Sequence, residues 1–190
     1  MRLALFGGTF DPIHNGHLAI AREAARRCDL ARVLFIPAAL PPHKAHGTRA
    51  PYADRLHMVE LACAGEPHFQ ASALEAGQST NYSIDTIERL TQTLSSADRL
   101  FFLIGADAFA EIETWRRWRD VVQAVDFIVV SRPGGRYAVP AGARVERLDH
   151  IEVPTSSSEI RRRLAAGDRE VDLPPAVLAY ICERKLYSGA

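Results

Sequence analysis

What this sequence most plainly lacks is an excess of either charge. Lys and Arg total 23, Asp and Glu total 23, and the formal net charge is zero. The basic footprint of a nucleic-acid-binding domain is therefore missing, and any anion site has to be a local arrangement of groups. Cysteine is scarce as well: Cys28, Cys63 and Cys182 stand far apart, with no CxxC spacing. An odd, sparse set argues against a disulfide framework and fits buried, reduced thiols in a cytoplasmic protein. No apolar run is long enough to span a bilayer. The opening MRLALFGGTF, its short apolar run broken by two glycines, lacks the core of a signal peptide. Neither the G-x-G-x-x-G fingerprint nor a Gly-Lys-Ser/Thr phosphate loop is present. No internal repeat or low-complexity segment stands out.

What is there is a chain of 190 residues, 47% hydrophobic, of a size that one core serves well. A single domain over 1–190 is expected, with 155–190 as a helical C-terminal extension. Arg2–Phe6, Arg32–Pro37, Arg99–Ile104 and Asp126–Val130 are apolar runs that read as buried strands, with Phe69–Leu74 and Val145–Val153 as weaker candidates. Helical spacing covers Gly16–Cys28, Tyr52–Ala64, Ser83–Leu94, Ser157–Ala166 and Pro174–Arg184, and Ala106–Ala124 reads as one or two helices. Ser83 is a candidate N-cap. Strands alternating with helices imply an α/β fold, a doubly wound parallel sheet with C-terminal helices. Such sheets bind ligands beyond the carboxyl ends of their strands, so the residues after each strand carry the interest.

After the first strand stands Gly7-Gly8-Thr9-Phe10-Asp11-Pro12-Ile13-His14-Asn15-Gly16-His17. Paired glycines allow a sharp turn and close approach to a ligand. Two histidines three apart at a helix entry can point the same way, and the free N–H groups of that helix favour phosphate. Three readings stay open on chemistry alone: a phosphate site, a zinc site using His14, His17 and Asp11, or a structural turn. Zinc fits less well, because the helical zinc motif spaces its histidines by four and adds a Glu.

Taken whole, this string resembles the signature of the nucleotidyltransferase superfamily with a His-x-Gly-His core. Within it, the string is similar to the bacterial nicotinate-nucleotide adenylyltransferase family. The resemblance implies a Rossmann-like nucleotidyltransferase fold. It also implies that Gly7, Gly8, Thr9, Phe10 and Gly16 lie against ATP, while His14 and His17 contact its triphosphate and stabilise the departing charge.

Further segments follow in family order. Thr155-Ser156-Ser157-Ser158-Glu159-Ile160-Arg161 reads first as a capping box, Ser156 with Glu159. Yet arginines beside a helix start are mildly unfavourable unless an anion lies there too. The run is similar to the superfamily's second phosphate motif, Ile-Ser-Ser-Thr-x-Ile-Arg, with Thr155 in place of Ile and Ser158 in place of Thr. That implies Ser156, Ser157 and Arg161 near the β- and γ-phosphates. Lys44, in Pro41-Pro42-His43-Lys44, matches a lysine that reaches phosphate. Asp107, in Ile104-Gly105-Ala106-Asp107, matches an acid near the adenosine ribose, with Gly105 beside it, and Arg132 matches an arginine near the phosphates. Tyr82, Thr86 and Trp115 are implied at the mononucleotide, Trp115 by stacking on the pyridine ring, whereas Trp118 is expected in the core. His43, His46, His57, His68 and His150 are expected in surface or structural roles.

The implied reaction is adenylyl transfer from ATP to nicotinate mononucleotide, giving deamido-NAD and pyrophosphate. Mg²⁺ is expected with ATP, held by phosphate oxygens, and no protein metal ligand is named. Partners from the nucleic-acid and membrane classes are not expected. Sister enzymes using phosphopantetheine or an alcohol phosphate, and a nucleotide-sensing module without turnover, are the alternatives.

Overall fold

The apolar runs become a parallel sheet because their residues are buried on both faces. In the computed structural model, which describes residues 1–39, 48–77, 82–131, 137–149, 151 and 153–188, β1 is Arg2–Gly8, β2 Arg32–Pro37 and β3 Phe69–Ala71. Next come β4 (Arg99–Gly105), β5 (Asp126–Val130) and β6 (Val145–Leu148). The order is β3-β2-β1-β4-β5-β6, and every neighbouring pair is parallel.

Alternation along each strand divides the interior in two. Ala4, Phe6, Phe35 and Leu103 face a core closed by α1 (Asn15–Arg27), α2 (Tyr52–Cys63), α6 (Ser157–Ala165) and α7 (Pro175–Glu183). Leu3, Leu5, Ile36 and Phe102 face the other, closed by α3 (Ser83–Thr91), α4 (Ala106–Ala110) and α5 (Trp118–Ala124). The sheet is thus doubly wound and Rossmann-like, with helices at its C-terminal end. Its order reverses beside β1, which pairs with β2 on one side and β4 on the other. The loops leaving β1 and β4 therefore diverge and open a crevice at their carboxyl ends.

Several element ends differ from expectation, each for a local reason. The third strand stops at Ala71 because 73–76 turns, with the Ala76 N–H on Ala73 O at 2.9 Å. Among the described residues of the expected 145–153 strand, Val145–Leu148 are those that pair with β5. The stretch 106–124 breaks into α4, a 3-10 turn at Ile112–Thr114, and α5, which starts after Arg117 in the left-handed region at φ 52°. Tyr82 rather than Ser83 caps α3: Ser83 is its first helical residue, and no side-chain cap bond forms. Of the thiols, Cys28 and Cys63 are buried but Cys182 is exposed, against the expectation for all three. Trp118 is only half-buried, against the second core. No helix among the described residues is long and apolar enough to cross a membrane.

Candidate active site

The loop between β1 and α1 is held from every side. Phe10 sits at φ 48° and is 2% exposed, its ring 5.7 Å from Phe6 and 5.1 Å from His17, both edge-on. Left-handed backbone at a bulky residue costs about 1–2 kcal/mol, which this packing has to offset. The Phe10 side chain is thereby committed to the core, leaving only its backbone for a ligand. The neighbouring Asp11 carboxylate is buried and bonded at both oxygens. Oδ2 accepts from the Arg49 N–H at 2.8 Å, and Oδ1 accepts from the Ala50 N–H at 3.1 Å and the Tyr187 hydroxyl at 2.7 Å. With three donors on it, Asp11 is not a free metal ligand.

His14 and His17 lie together, their ring centroids 3.8 Å apart. The His14 N–H donates to His17 Nδ1 at 3.2 Å. An accepting Nδ1 puts the His17 proton on Nε2, so His17 is a neutral donor through that atom. Burial lowers the His17 pKa well below its ordinary value, and the adjacent His14 lowers it further. Burial likewise pushes His14 down to about 4, against a smaller upward pull from Asp172. The pair is uncharged at neutral pH without ligand. Gly16 allows this packing: a Cβ there would stand 2.3 Å from Val153 Cγ1 and 2.9 Å from His14 Nδ1.

The start of α6 is pinned onto the same loop. Ser157 Oγ donates to Pro12 O at 3.0 Å, and Arg161 Nη1 donates to Asp11 O at 2.7 Å. Arg161 Nη2 donates to Ser158 Oγ at 3.3 Å. Ser156 is the N-cap, accepting from the Glu159 N–H at 3.2 Å. Thr155, which departs from the family pattern, donates to Asp172 Oδ2 at 2.7 Å, and Asn15 donates to Asp172 Oδ1 at 2.8 Å. Asp172 therefore ties the start of α1 to the approach of α6.

At the switch point lies a cavity of about 480 Å³, a size suited to a small-molecule ligand; its lining reaches the β1 end of the loop at Gly7–Thr9 and does not include His14, His17, Ser157 or Arg161. Gly7, Gly8, Thr9, Tyr82, Thr86 and Gly105 line it, and Trp115 closes one wall, 5.7 Å from the Phe102 ring. A Cβ at Gly105 would meet nothing within 4 Å, so the room beside it belongs to the crevice. Asp107 is exposed on the first turn of α4 and is not among the cavity's lining residues.

Residues 5–163 match the family described as Cytidylyltransferase-like. A "Probable nicotinate-nucleotide adenylyltransferase" of Solibacter usitatus (strain Ellin6076) is 62% identical over 188 residues, covering 99% of this chain and 100% of that one. The chain belongs to the nicotinate-nucleotide adenylyltransferase family. A member so named from Frankia casuarinae is 42% identical, covering 97% of this chain and 99% of its own. In fold, the chain is similar to the Plasmodium falciparum nicotinic acid mononucleotide adenylyltransferase complexed with NaAD, with a TM-score of 0.80 at 17% identity. That match covers 98% of this chain and 97% of the other.

For a member of this adenylyltransferase family, the folded chain brings together Gly7, Gly8, Thr9, His14, Gly16, His17, Ser157 and Arg161 around one loop. Tyr82, Thr86, Gly105 and Trp115 line the adjoining cavity. Lys44 and Arg132 lie outside the described residues, as do His43, His46 and His150. Sequence reasoning missed Arg55, a guanidinium with 0% exposure. It donates to Thr9 O at 2.7 Å, Ala38 O at 2.8 Å and Ala50 O at 3.3 Å, fastening the β1 loop to the segment after β2. The helical stripe Arg55, Met58, Val59, Ala62 placed it on the buried face of α2, a signal the periodicity already carried. Glu75, Arg116 and Tyr187 were missed as well, and none lies in a recognisable motif.

Proposed function

We propose that this chain transfers the adenylyl group of ATP to nicotinate mononucleotide, with the residue roles that follow. The observation that carries the reading is the neutral His14–His17 pair at the β1–α1 turn, on the same loop to which Arg161 and Ser157 are bonded. The mononucleotide's 5′-phosphate oxygen attacks the α-phosphorus in line and forms the new P–O bond. The bond from the α-phosphorus to the bridging oxygen of the β-phosphate breaks, and its electron pair leaves with pyrophosphate. No side-chain nucleophile is required, so catalysis rests on positioning and on donors aimed at developing charge.

In this reading His17 Nε2–H and His14 donate to the triphosphate, and Arg161 with Ser157 receives the distal phosphates. Lys44 and Arg132 are assigned to phosphate by resemblance. Phe10 contributes backbone only, Ser156 acts first as a cap, and Asp107 approaches the ribose from the rim. Tyr82, Thr86 and Trp115 receive the mononucleotide. Among the described residues no group of three His, Cys, Asp or Glu is placed to hold a metal, and Asp11 is already spent. Mg²⁺ is therefore assigned to the phosphates of ATP, as part of the substrate. We further assign a single domain over 1–190, whose 155–190 extension carries the second phosphate motif, and a cytoplasmic location. The location rests on cysteine usage: burial raises the Cys28 pKa and pushes Cys63 up to about 12, as for inert thiols.

The test is pyrophosphate release from ATP with nicotinate mononucleotide, nicotinamide mononucleotide, phosphopantetheine or an alcohol phosphate. Release with nicotinate mononucleotide supports the reading. Release with only one of the last two assigns a sister enzyme, and binding of ATP without release from any acceptor assigns a sensor.

A further inference from the structure

Arg55 is a buried cation that no step of the transfer reaction uses. Its side chain is 0% exposed, on the face of α2 that also buries Met58, Val59 and Ala62. Burial lowers its pKa and the nearby Asp11 carboxylate opposes that, so the group stays a guanidinium at neutral pH. What it holds is backbone. Nη1 donates to Thr9 O at 2.7 Å and to Ala38 O at 2.8 Å, Nη2 to Ala39 O at 3.4 Å, and Nε to Ala50 O at 3.3 Å. These carbonyls belong to three separate stretches: the chain leaving β1, the chain leaving β2 and the chain entering α2. A buried cation is a poor source of stability, because its desolvation opposes the bonds that it makes. What it supplies is direction.

The carbonyl and the N–H of a trans peptide point to opposite sides, so a carbonyl drawn to Arg55 turns the following N–H away from it. The Ala38–Ala39 peptide follows this rule. Its carbonyl is on Arg55, and the Ala39 N–H donates to Oε2 of Glu75, a lining residue of the switch-point cavity, at 3.3 Å. The Thr9–Phe10 peptide is held by the same Nη1 atom, so the Phe10 N–H is likewise turned away from Arg55. No described residue accepts from that N–H, and Thr9 itself lines the cavity. Phe10 also sits in the left-handed region at φ 48°, a conformation that its surroundings must impose.

Resting on the ATP-site assignment above, we propose that Arg55 is a positioning residue for adenylyl transfer. It fixes the Thr9–Phe10 peptide so that the Phe10 N–H stays presented to the phosphates of ATP, and it touches neither substrate itself. Lysine in its place keeps the charge but loses the planar fork that reaches several carbonyls at once.

The test compares wild type, Arg55→Lys and Met58→Ala in kcat per folded molecule, KM for ATP and denaturation midpoint. Met58 is fully buried three residues further along the same face of α2, so Met58→Ala reports the effect of loosening the helix alone. Arg55→Lys is expected to lower kcat by about tenfold to a hundredfold while KM for ATP changes less than about threefold, as for a misplaced transition-state donor. Met58→Ala should lose stability and keep kcat within about twofold. Wild-type kcat in Arg55→Lys would overturn the inference, and so would matching kcat losses in the two variants or a loss carried by KM alone. A second measurement needs no variant. In NMR spectra of wild type, the Arg55 guanidinium protons should exchange slowly with solvent both in the free enzyme and with ATP bound. Fast exchange in the ATP complex would overturn the inference, because Arg55 would then have released the peptide. A wild type that releases no pyrophosphate from ATP with any acceptor would instead overturn the enzymatic reading, before any variant is made.

Discussion

Arg161 and Asp11 lie 150 residues apart in the chain, yet Arg161 Nη1 donates to the Asp11 carbonyl at 2.7 Å. That bond, with Ser157 on Pro12 O, makes the start of α6 and the β1–α1 loop one unit. One guanidinium edge is fixed to protein, which aims the rest of the group. Arg161→Ala is expected to weaken ATP and pyrophosphate by about tenfold or more and AMP by much less. Calorimetric titration with the three ligands checks it, and equal weakening of all three would remove Arg161 from the distal phosphates.

Tyr187 reaches Asp11 from the other side. Burial raises the tyrosine's pKa, and so do the charge of Asp11 and the bond to it, so the phenol stays protonated and donating. Tyr187→Phe removes one of three donors from a buried carboxylate and is expected to cost roughly 1–3 kcal/mol of stability. Chemical denaturation measures this directly, and an unchanged midpoint would mean that the Arg49 and Ala50 N–H groups suffice.

Acid should weaken the fold through His14. Its folded pKa of about 4 lies below the unfolded value of 6.5, so the unfolded chain binds more protons between those limits. The stability is fully present above pH 6.5, is lost progressively as pH falls to about 4, and changes no further below that. On the order of 3 kcal/mol is at stake for a shift of this size. Denaturation of wild type and His14→Asn at pH 7.5 and 4.5 should show the smaller loss in the variant. Equal losses would contradict the buried, neutral His14.

Gly16→Ala forces a methyl against Val153 and His14, at 2.3 and 2.9 Å. Overpacking of this kind costs typically about 1–3 kcal/mol, and here it also displaces a histidine. A fall in kcat larger than the fall in ATP affinity is expected. Loss of stability with normal kcat per folded molecule would make Gly16 structural only.

How much of this was legible before the structure depends on where the information lies. The runs at β1, β2, β4 and β5 announced themselves because strands buried on both faces must be apolar throughout. The Gly7–His17 string was equally plain, since its spacing carries chemistry. Arg117 was not legible as a helix break, because its left-handed backbone is set by tertiary context. The commitment of Asp11 was hidden for a similar reason: its partners Arg49, Ala50, Arg161 and Tyr187 are distant in sequence. Thr86 was identified as a pocket residue. Glu75, which accepts the hydrogen bond of the Thr86 hydroxyl, stands in a turn just past the expected strand Phe69–Leu74, in a stretch that no pattern marked.

The central claim is that the histidine pair acts on charge that develops as pyrophosphate leaves. It is tested most directly by His17→Ala, in which pyrophosphate release and ATP affinity are measured on the same folded protein. Losing one transition-state donor should lower kcat by about a hundredfold to a thousandfold, with the dissociation constant for ATP changed only a fewfold. A folded His17→Ala enzyme that releases pyrophosphate at near the wild-type rate would contradict the account and return the pair to a structural role.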